Sequence, residues 1–265
     1  MTRIIVGQYY PTNSIIHRLD PRVKLIGAFA HIAVLLMINN FIGYAIIAVY
    51  VAVIIAFSKV PPRLMFRGLR AILFMLMFAV GINLFLAPGD TVIFQLGFVR
   101  LTMEGIAQGA LMAIRLVLLV IGTSMLTLAT SPIKLTDGIE ALLRPLKIVK
   151  VPAHDIAMMM TITLRFIPIL ADEMDKIMKA QKARGADFET GGLTKRAKSL
   201  LPILVPLFVS AFKRADELAT AMEARCYRGD VDRTKMKEMK MTPTDWLTIG
   251  VILAVSVIAV LTRML

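Results

Sequence analysis

The chain has 265 residues, 57% of them apolar and 18% charged, and a mean hydropathy of +0.74. A soluble domain is about 45–50% apolar and about 25% charged, so the composition excludes an ordinary soluble enzyme and describes a membrane protein. Its net charge of +13 fits cytoplasmic loops and anionic headgroups, and no nucleic-acid recognition motif accompanies it, so no nucleic acid is expected as a partner.

In chain order, residues 1–22 form a polar N-terminal segment with Arg3, Arg18 and Arg22. It has no apolar core or small-residue cleavage site, so no cleavable signal peptide is expected. Asp20 followed by Pro21 is helix-start chemistry, an N-cap before proline at the first helical position. Four spans follow in residues 23–130. The first, 23–38, reaches a turn at Asn39 and Asn40, and the second is 41–57. A loop with Lys59, Arg63, Arg67 and Arg70 and no acid leads to the third, 71–86. Residues 87–90 break that span, and 91–102 alternate like a short strand pair or an irregular loop. The fourth span, 105–130, contains Arg115. A polar region, 131–243, separates these from a C-terminal helix within 244–265, spanning 246–261, with Trp246 at its interface.

The basic residues lie mainly in the N-terminus, the 58–70 loop and 131–243. The positive-inside rule therefore predicts a multi-pass cell-membrane protein with its N-terminus cytoplasmic and its C-terminus outside. The predicted fold is all-α: about five transmembrane helices plus long amphipathic cytoplasmic helices. Region 131–243 holds 34 of the 49 charged residues. It also contains two apolar runs, 156–170 and 200–212, too short to span and interrupted by Pro168, Pro202 and Pro206. Such runs suit helices lying along the membrane. A third amphipathic stretch, 139–148, precedes them.

Two tripeptides in this region repeat one pattern, 41 residues apart: Ala183-Arg184-Gly185 and Ala224-Arg225-Cys226. Leu170, Met174, Ile177, Met178 and Gln181 form one helix face before the first. Ala211, Ala215, Leu218, Met222 and Cys226 form another before the second. A single arginine in a last turn is explained by the helix dipole, and Gly185 by a C′ glycine. As a matched pair, the two arginines also suit carboxylate-lined pockets on partners, where lysine is a poor substitute. Both explanations stand on the residues alone.

No GxxxxGK[ST] loop occurs, and His17, His31 and His154 have no partner at metal-ligand spacing, so the sequence offers no nucleotide site or metal site. His31 is expected to pack within its helix. Arg115 is read as snorkelling or pairing with the polar loop that holds Asp90 and Glu104, with an ion or substrate contact as the rival.

The stretches His17-Arg18-Leu19-Asp20-Pro21-Arg22-Val23-Lys24, residues 180–186 and residues 206–225 together resemble the transmembrane T component of energy-coupling factor transporters, prokaryotic importers of vitamins and metals. The resemblance covers essentially the whole chain. It implies a non-catalytic coupling subunit that binds no cofactor itself, with ATP and Mg on two cytoplasmic ABC-type ATPases. It carries ATPase docking to Ala183, Arg184, Gly185, Ala224, Arg225 and Cys226. It also implies a membrane-embedded substrate-binding S subunit, one or several interchangeable, against the two apolar runs; Met158, Met159, Met160, Pro202 and Pro206 are the contacts this suggests, although the methionines equally suit internal packing. Cys226 stands where the family often has glycine, from which a small change in helix-end geometry is expected. The competing classes are a self-contained secondary transporter or channel, disfavoured by sparse intramembrane charge, and a membrane enzyme acting on lipid, for which no acid, base or metal set is present.

Overall fold

Asp20 starts the first long helix as its chemistry predicts: in the computed structural model, which describes residues 9–86, 92–96, 99–188, 192–229 and 239–264, its Oδ1 accepts from the Arg22 N–H at 2.9 Å. After a single turn, α1 (Ile15–Arg18), come α2 (Pro21–Met37), α3 (Phe41–Ser58) and α4 (Pro62–Leu86). A two-stranded antiparallel hairpin follows, β1 (Val92–Leu96) and β2 (Val99–Thr102), with Gln95 opposite Arg100. The alternating stretch is thus a strand pair. Then come α5 (Met103–Ala129), α6 (Pro132–Leu143), a 3-10 helix (Arg144–Val149), α7 (Ala153–Ala183), α8 (Leu193–Ala224), α9 (Pro243–Leu261) and a closing 3-10 turn.

The contacts divide the chain into two units. One joins Gly7–Leu142 to Lys237–Leu265, and the other contains Leu143–Met236. In the first, α2, α3, α5 and α9 pack together around Leu35, Ile38, Tyr44, Ile47 and Ala259, all at most 2% exposed. Lipid tails are as apolar as leucine, so packing here depends on close approach, which small residues allow. A Cβ on Gly122 would sit 2.2 Å from the His31 ring, and one on Gly43 2.5 Å from Ile38. His31 is packed as expected, its Nε2 3.1 Å from the Leu118 carbonyl.

Both ends of α9 are tied to α2. At one end Asp245, 2% exposed, accepts from the Asp20 N–H at 2.8 Å and from the Thr242 N–H and hydroxyl at 2.7 and 2.6 Å. At the other, Asn40 donates to the Thr262 carbonyl and accepts from the Thr262 hydroxyl at 3.2 Å. The two helices therefore run in the same direction.

The structure corrects two expectations. Arg115 pairs with the α2–α3 turn: it donates to Tyr44 Oη (2.6 Å), the Ile38 carbonyl (2.9 Å) and Asn39 Oδ1 (2.6 Å), while Asp90 of the loop expected to receive it lies outside the described residues. The helices long and apolar enough to cross a membrane are α3, α5, α7 and α9, with α4 a fifth if its halves, bent by 59°, count as one span. α2, at 17 residues, is about 26 Å long, and its two ends are tied to those of α9, so the two helices cover the same depth. α7 enters the set because the run 156–170 is part of one 31-residue helix; its remainder carries Asp172, Glu173, Asp175, Lys176, Lys179 and Lys182, a charge density unsuited to lipid. Finally, the stretch 139–148 is not one helix: α6 runs from Pro132 to Leu143 and stops ahead of Arg144-Pro145, because a residue before proline disfavours the α conformation.

Candidate docking site at two helix ends

α7 ends at Ala183 and α8 at Ala224, which leaves Arg184 and Arg225 as the respective C-cap residues. In the first, Gly185 (φ 87°) donates to the Lys182 carbonyl at 3.0 Å and Ala186 to the Gln181 carbonyl at 3.0 Å. In the second, Cys226 (φ 56°) donates to Glu223 at 2.9 Å and Tyr227 to Met222 at 3.0 Å. Both are complete Schellman caps with the same bonding pattern. The expected change at Cys226 is absent: the cysteine adopts the left-handed conformation that glycine adopts at Gly185. A side chain there costs roughly 1–2 kcal/mol, which the two cap bonds offset.

All six tripeptide residues are exposed. Among the described residues neither the Arg184 nor the Arg225 guanidinium forms an ion pair or a side-chain hydrogen bond within the chain. Each therefore presents five unused donors at the end of its helix.

The register between α7 and α8 fixes where these ends lie. Gln181 Nε2 donates to the Pro202 carbonyl at 3.4 Å, and Arg214 lies 3.8 Å from Glu173. Eight residues forward on α7 correspond to twelve back on α8, so the helices cross with opposed directions. Each arginine lies eleven residues, about 16 Å of helix, beyond the Glu173–Arg214 contact, which sets the two roughly 30 Å apart. Gln181 was placed from the sequence on the face leading to Arg184, but not paired with Pro202. The signal for it was Pro206, which has no N–H and so deprives the Pro202 carbonyl of its helical donor.

The other anticipated residues lie on the same two helices. Met159 and Met160 are exposed at 57% and 37%, Met158 is half-buried, and Pro202 and Pro206 are exposed. The apolar run 200–212 forms a stripe on α8: Leu201, Leu204, Val205, Phe208, Val209 and Phe212, at 3–4-residue spacing, are all exposed. Of the faces leading to the arginines, Leu170, Met174, Ile177, Met178 and Gln181 are all half-buried, whereas Ala215 on α8 is exposed.

Within the His17–Lys24 stretch, His17 and Lys24 are engaged in internal hydrogen bonds. His17 Nε2 faces the Tyr10 carbonyl at 3.0 Å, so that nitrogen carries the proton and Nδ1 accepts from Ser14 Oγ at 2.7 Å. Burial holds the His17 pKa below its ordinary value, against the raising pull of the Tyr10 carbonyl. Lys24 donates to the carbonyls of Ala129 (3.0 Å) and His17 (3.3 Å). A crevice of about 320 Å³ between α2, α3, α5 and α9 has Lys24 and His31 among its lining, but both are already engaged with backbone carbonyls. No group of His, Cys, Asp or Glu suited to a metal occurs among the described residues.

Comparison with known proteins gives one answer along the chain. Residues 12–237 match the CbiQ family model, described as cobalt transport protein. The chain is 53% identical over 245 residues to the energy-coupling factor transporter transmembrane protein EcfT of Thermosediminibacter oceani, covering 92% of each. It is 53% identical over 248 residues to the protein of that name from Ruminiclostridium cellulolyticum (94% of this chain, 92% of the relative), and 45% identical over 245 residues to that from Bacillus subtilis (92% of each).

Proposed function

The chain belongs to the family of energy-coupling factor transporter transmembrane proteins, and from that premise we propose that Arg184 and Arg225 dock into two separate cytoplasmic ABC-type ATPase subunits. The observation that carries this is the pair of matched caps: two exposed, internally unpaired arginines with the same backbone geometry, roughly 30 Å apart on opposed helices. One groove cannot take both at that separation, whereas two related subunits can each take one. The planar fork of arginine suits a carboxylate-lined groove.

In this reading the chain is non-catalytic. ATP and Mg bind on the ATPases, consistent with a sequence that lacks a phosphate-binding loop. The apolar faces of α7 and α8, including Met159, Met160, Pro202, Pro206 and Phe208, hold a separate membrane-embedded S subunit that carries a vitamin or metal substrate. Movement of the ATPase grooves during hydrolysis displaces the two helix ends and shifts that surface. The arginine ends, the 58–70 loop and the N-terminus are cytoplasmic and the C-terminus is outside, as the distribution of Lys and Arg favours.

The test is co-purification of the tagged chain from solubilised bacterial membranes expressing the whole transporter. The wild type should bring down two ATPase subunits, Arg184→Glu or Arg225→Glu should each lose about one, and the double variant both. ATPases retained by the double variant would overturn the docking assignment, and a wild-type chain recovered alone would overturn the coupling role.

A further inference from the structure

The segment between α6 and α7 presents two aliphatic side chains with little against them. Ile148 is 92% exposed, the most of any large apolar side chain among the described residues, and Val149 is 75% exposed. They close the 3-10 helix Arg144–Val149. Lys150 then turns the chain in the left-handed region (φ 61°), and the Ala153 N–H reaches the Val151 carbonyl at 2.9 Å. Pro145 and Pro152 bracket the turn, so the tip is held in a limited set of backbone conformations. From 141 to 153 the sequence carries Arg144, Lys147 and Lys150 and no acid, and Arg144 and Lys150 are exposed.

Two aliphatic residues set among three cations are far too small for a protein interface, which takes about 800 Å² from each partner. They match an interfacial anchor, in which apolar side chains enter the acyl boundary while basic neighbours hold phosphate. The tip directly follows α6, which up to Leu142 belongs to the unit of the membrane helices, so chain connectivity keeps it within reach of a bilayer. We propose that 144–150 is a lipid-binding tip: Ile148 and Val149 insert at the headgroup–acyl boundary of an anionic membrane, and Arg144 and Lys150 hold lipid phosphates. The assignment does not depend on what Arg184 and Arg225 dock into.

The test uses the full chain in nanodiscs of phosphatidylglycerol or phosphatidylcholine, carrying Trp246→Phe and Ile148→Trp so that position 148 holds the only indole. In phosphatidylglycerol its emission should shift to the blue and be quenched by lipids brominated on the acyl chain. Each cation near an anionic surface is worth about fivefold in partitioning, so quenching should fall several-fold in phosphatidylcholine and in Arg144→Glu/Lys150→Glu. If that charge reversal impairs folding, salt at about 0.5 M on the unreversed chain makes the same comparison, because it shrinks the screening length to a few ångströms. Water-like emission in both lipids would overturn the proposal. So would quenching equal in both lipids and insensitive to charge reversal or salt, which would show apolar burial without headgroup recognition. A blue shift that arises only when the other transporter subunits are bound would assign the tip to a protein partner and overturn it as well.

Discussion

Replacing Asp245 with alanine should destabilise the membrane unit by about 3–5 kcal/mol. The carboxylate is 2% exposed and accepts three hydrogen bonds, from the Asp20 N–H, the Thr242 N–H and the Thr242 hydroxyl. A hydrogen bond to a charged group contributes about 1.5–3 kcal/mol, and a buried N–H left without an acceptor costs about 1–3 kcal/mol. The hydroxyl can turn to another acceptor, so the two backbone donors set the size of the loss. Asp245→Asn should cost about half as much: its amide oxygen still serves Asp20, while its NH₂ group faces the Thr242 N–H. Thr242→Val, which removes only the hydroxyl's bond, should cost about 1 kcal/mol. Trp246 is the only tryptophan in the chain and adjoins Asp245, so its fluorescence during denaturation in detergent reports this helix end. An alanine variant within about 0.5 kcal/mol of wild type, or an asparagine variant as unstable as the alanine one, would refute the reasoning.

Arg115→Leu removes three donations and leaves the Ile38 carbonyl to the Tyr44 hydroxyl alone; thermal unfolding should show a loss of about 1–3 kcal/mol, with Arg115→Lys intermediate. Unchanged unfolding together with collapsed uptake would instead mark a substrate or ion path. At Cys226, valine should cost about 1–2 kcal/mol and fray the end of α8, because a β-branched side chain resists a positive φ. Glycine should be neutral or stabilising by up to about 1 kcal/mol, as measured by helicity and unfolding. The Cys226 thiol, exposed and the only one in the chain, should react with maleimide in the isolated protein and be protected once ATPases are bound. Burial depresses the His17 pKa in the folded state. Its contribution is therefore fully present above the unfolded value of about 6.5 and is lost as pH falls through the lower folded value. Melting temperature should fall as pH drops below about 6.5, and His17→Gln should flatten that dependence.

Features with local causes were legible in the sequence. Asp20-Pro21 and the two tripeptides specify helix ends through the residues that cap them, and the helices do begin at Pro21 and end at Ala183 and Ala224. Arg115 was legible as an intramembrane charge but its partners were not, because Tyr44 and Ile38 lie more than 70 residues away and are brought to it only by packing of α5 on α3. The bond between Gln181 and Pro202 was hidden for the same reason, although the missing proline N–H announced a carbonyl in need of a donor. At Cys226 the expectation failed in the opposite direction. Residue preference suggested altered geometry, but the cap bonds to Glu223 and Met222 outweigh the preference of one residue.

The clasp between α2 and α9 bears on how the protein is made. Asp20 leaves the ribosome more than two hundred residues before Asp245, and Asn40 a similar interval before Thr262. At about 5–20 residues per second, the amino-terminal helices wait on the order of ten seconds or longer for their last neighbour. During that interval the groove destined for α9 is without its helix, and the crossed helices α7 and α8 emerge before the bundle is closed. A nascent chain interrupted after α8 would thus display both arginine ends on an unfinished scaffold. Completion of the last helix is the natural checkpoint between synthesis and assembly.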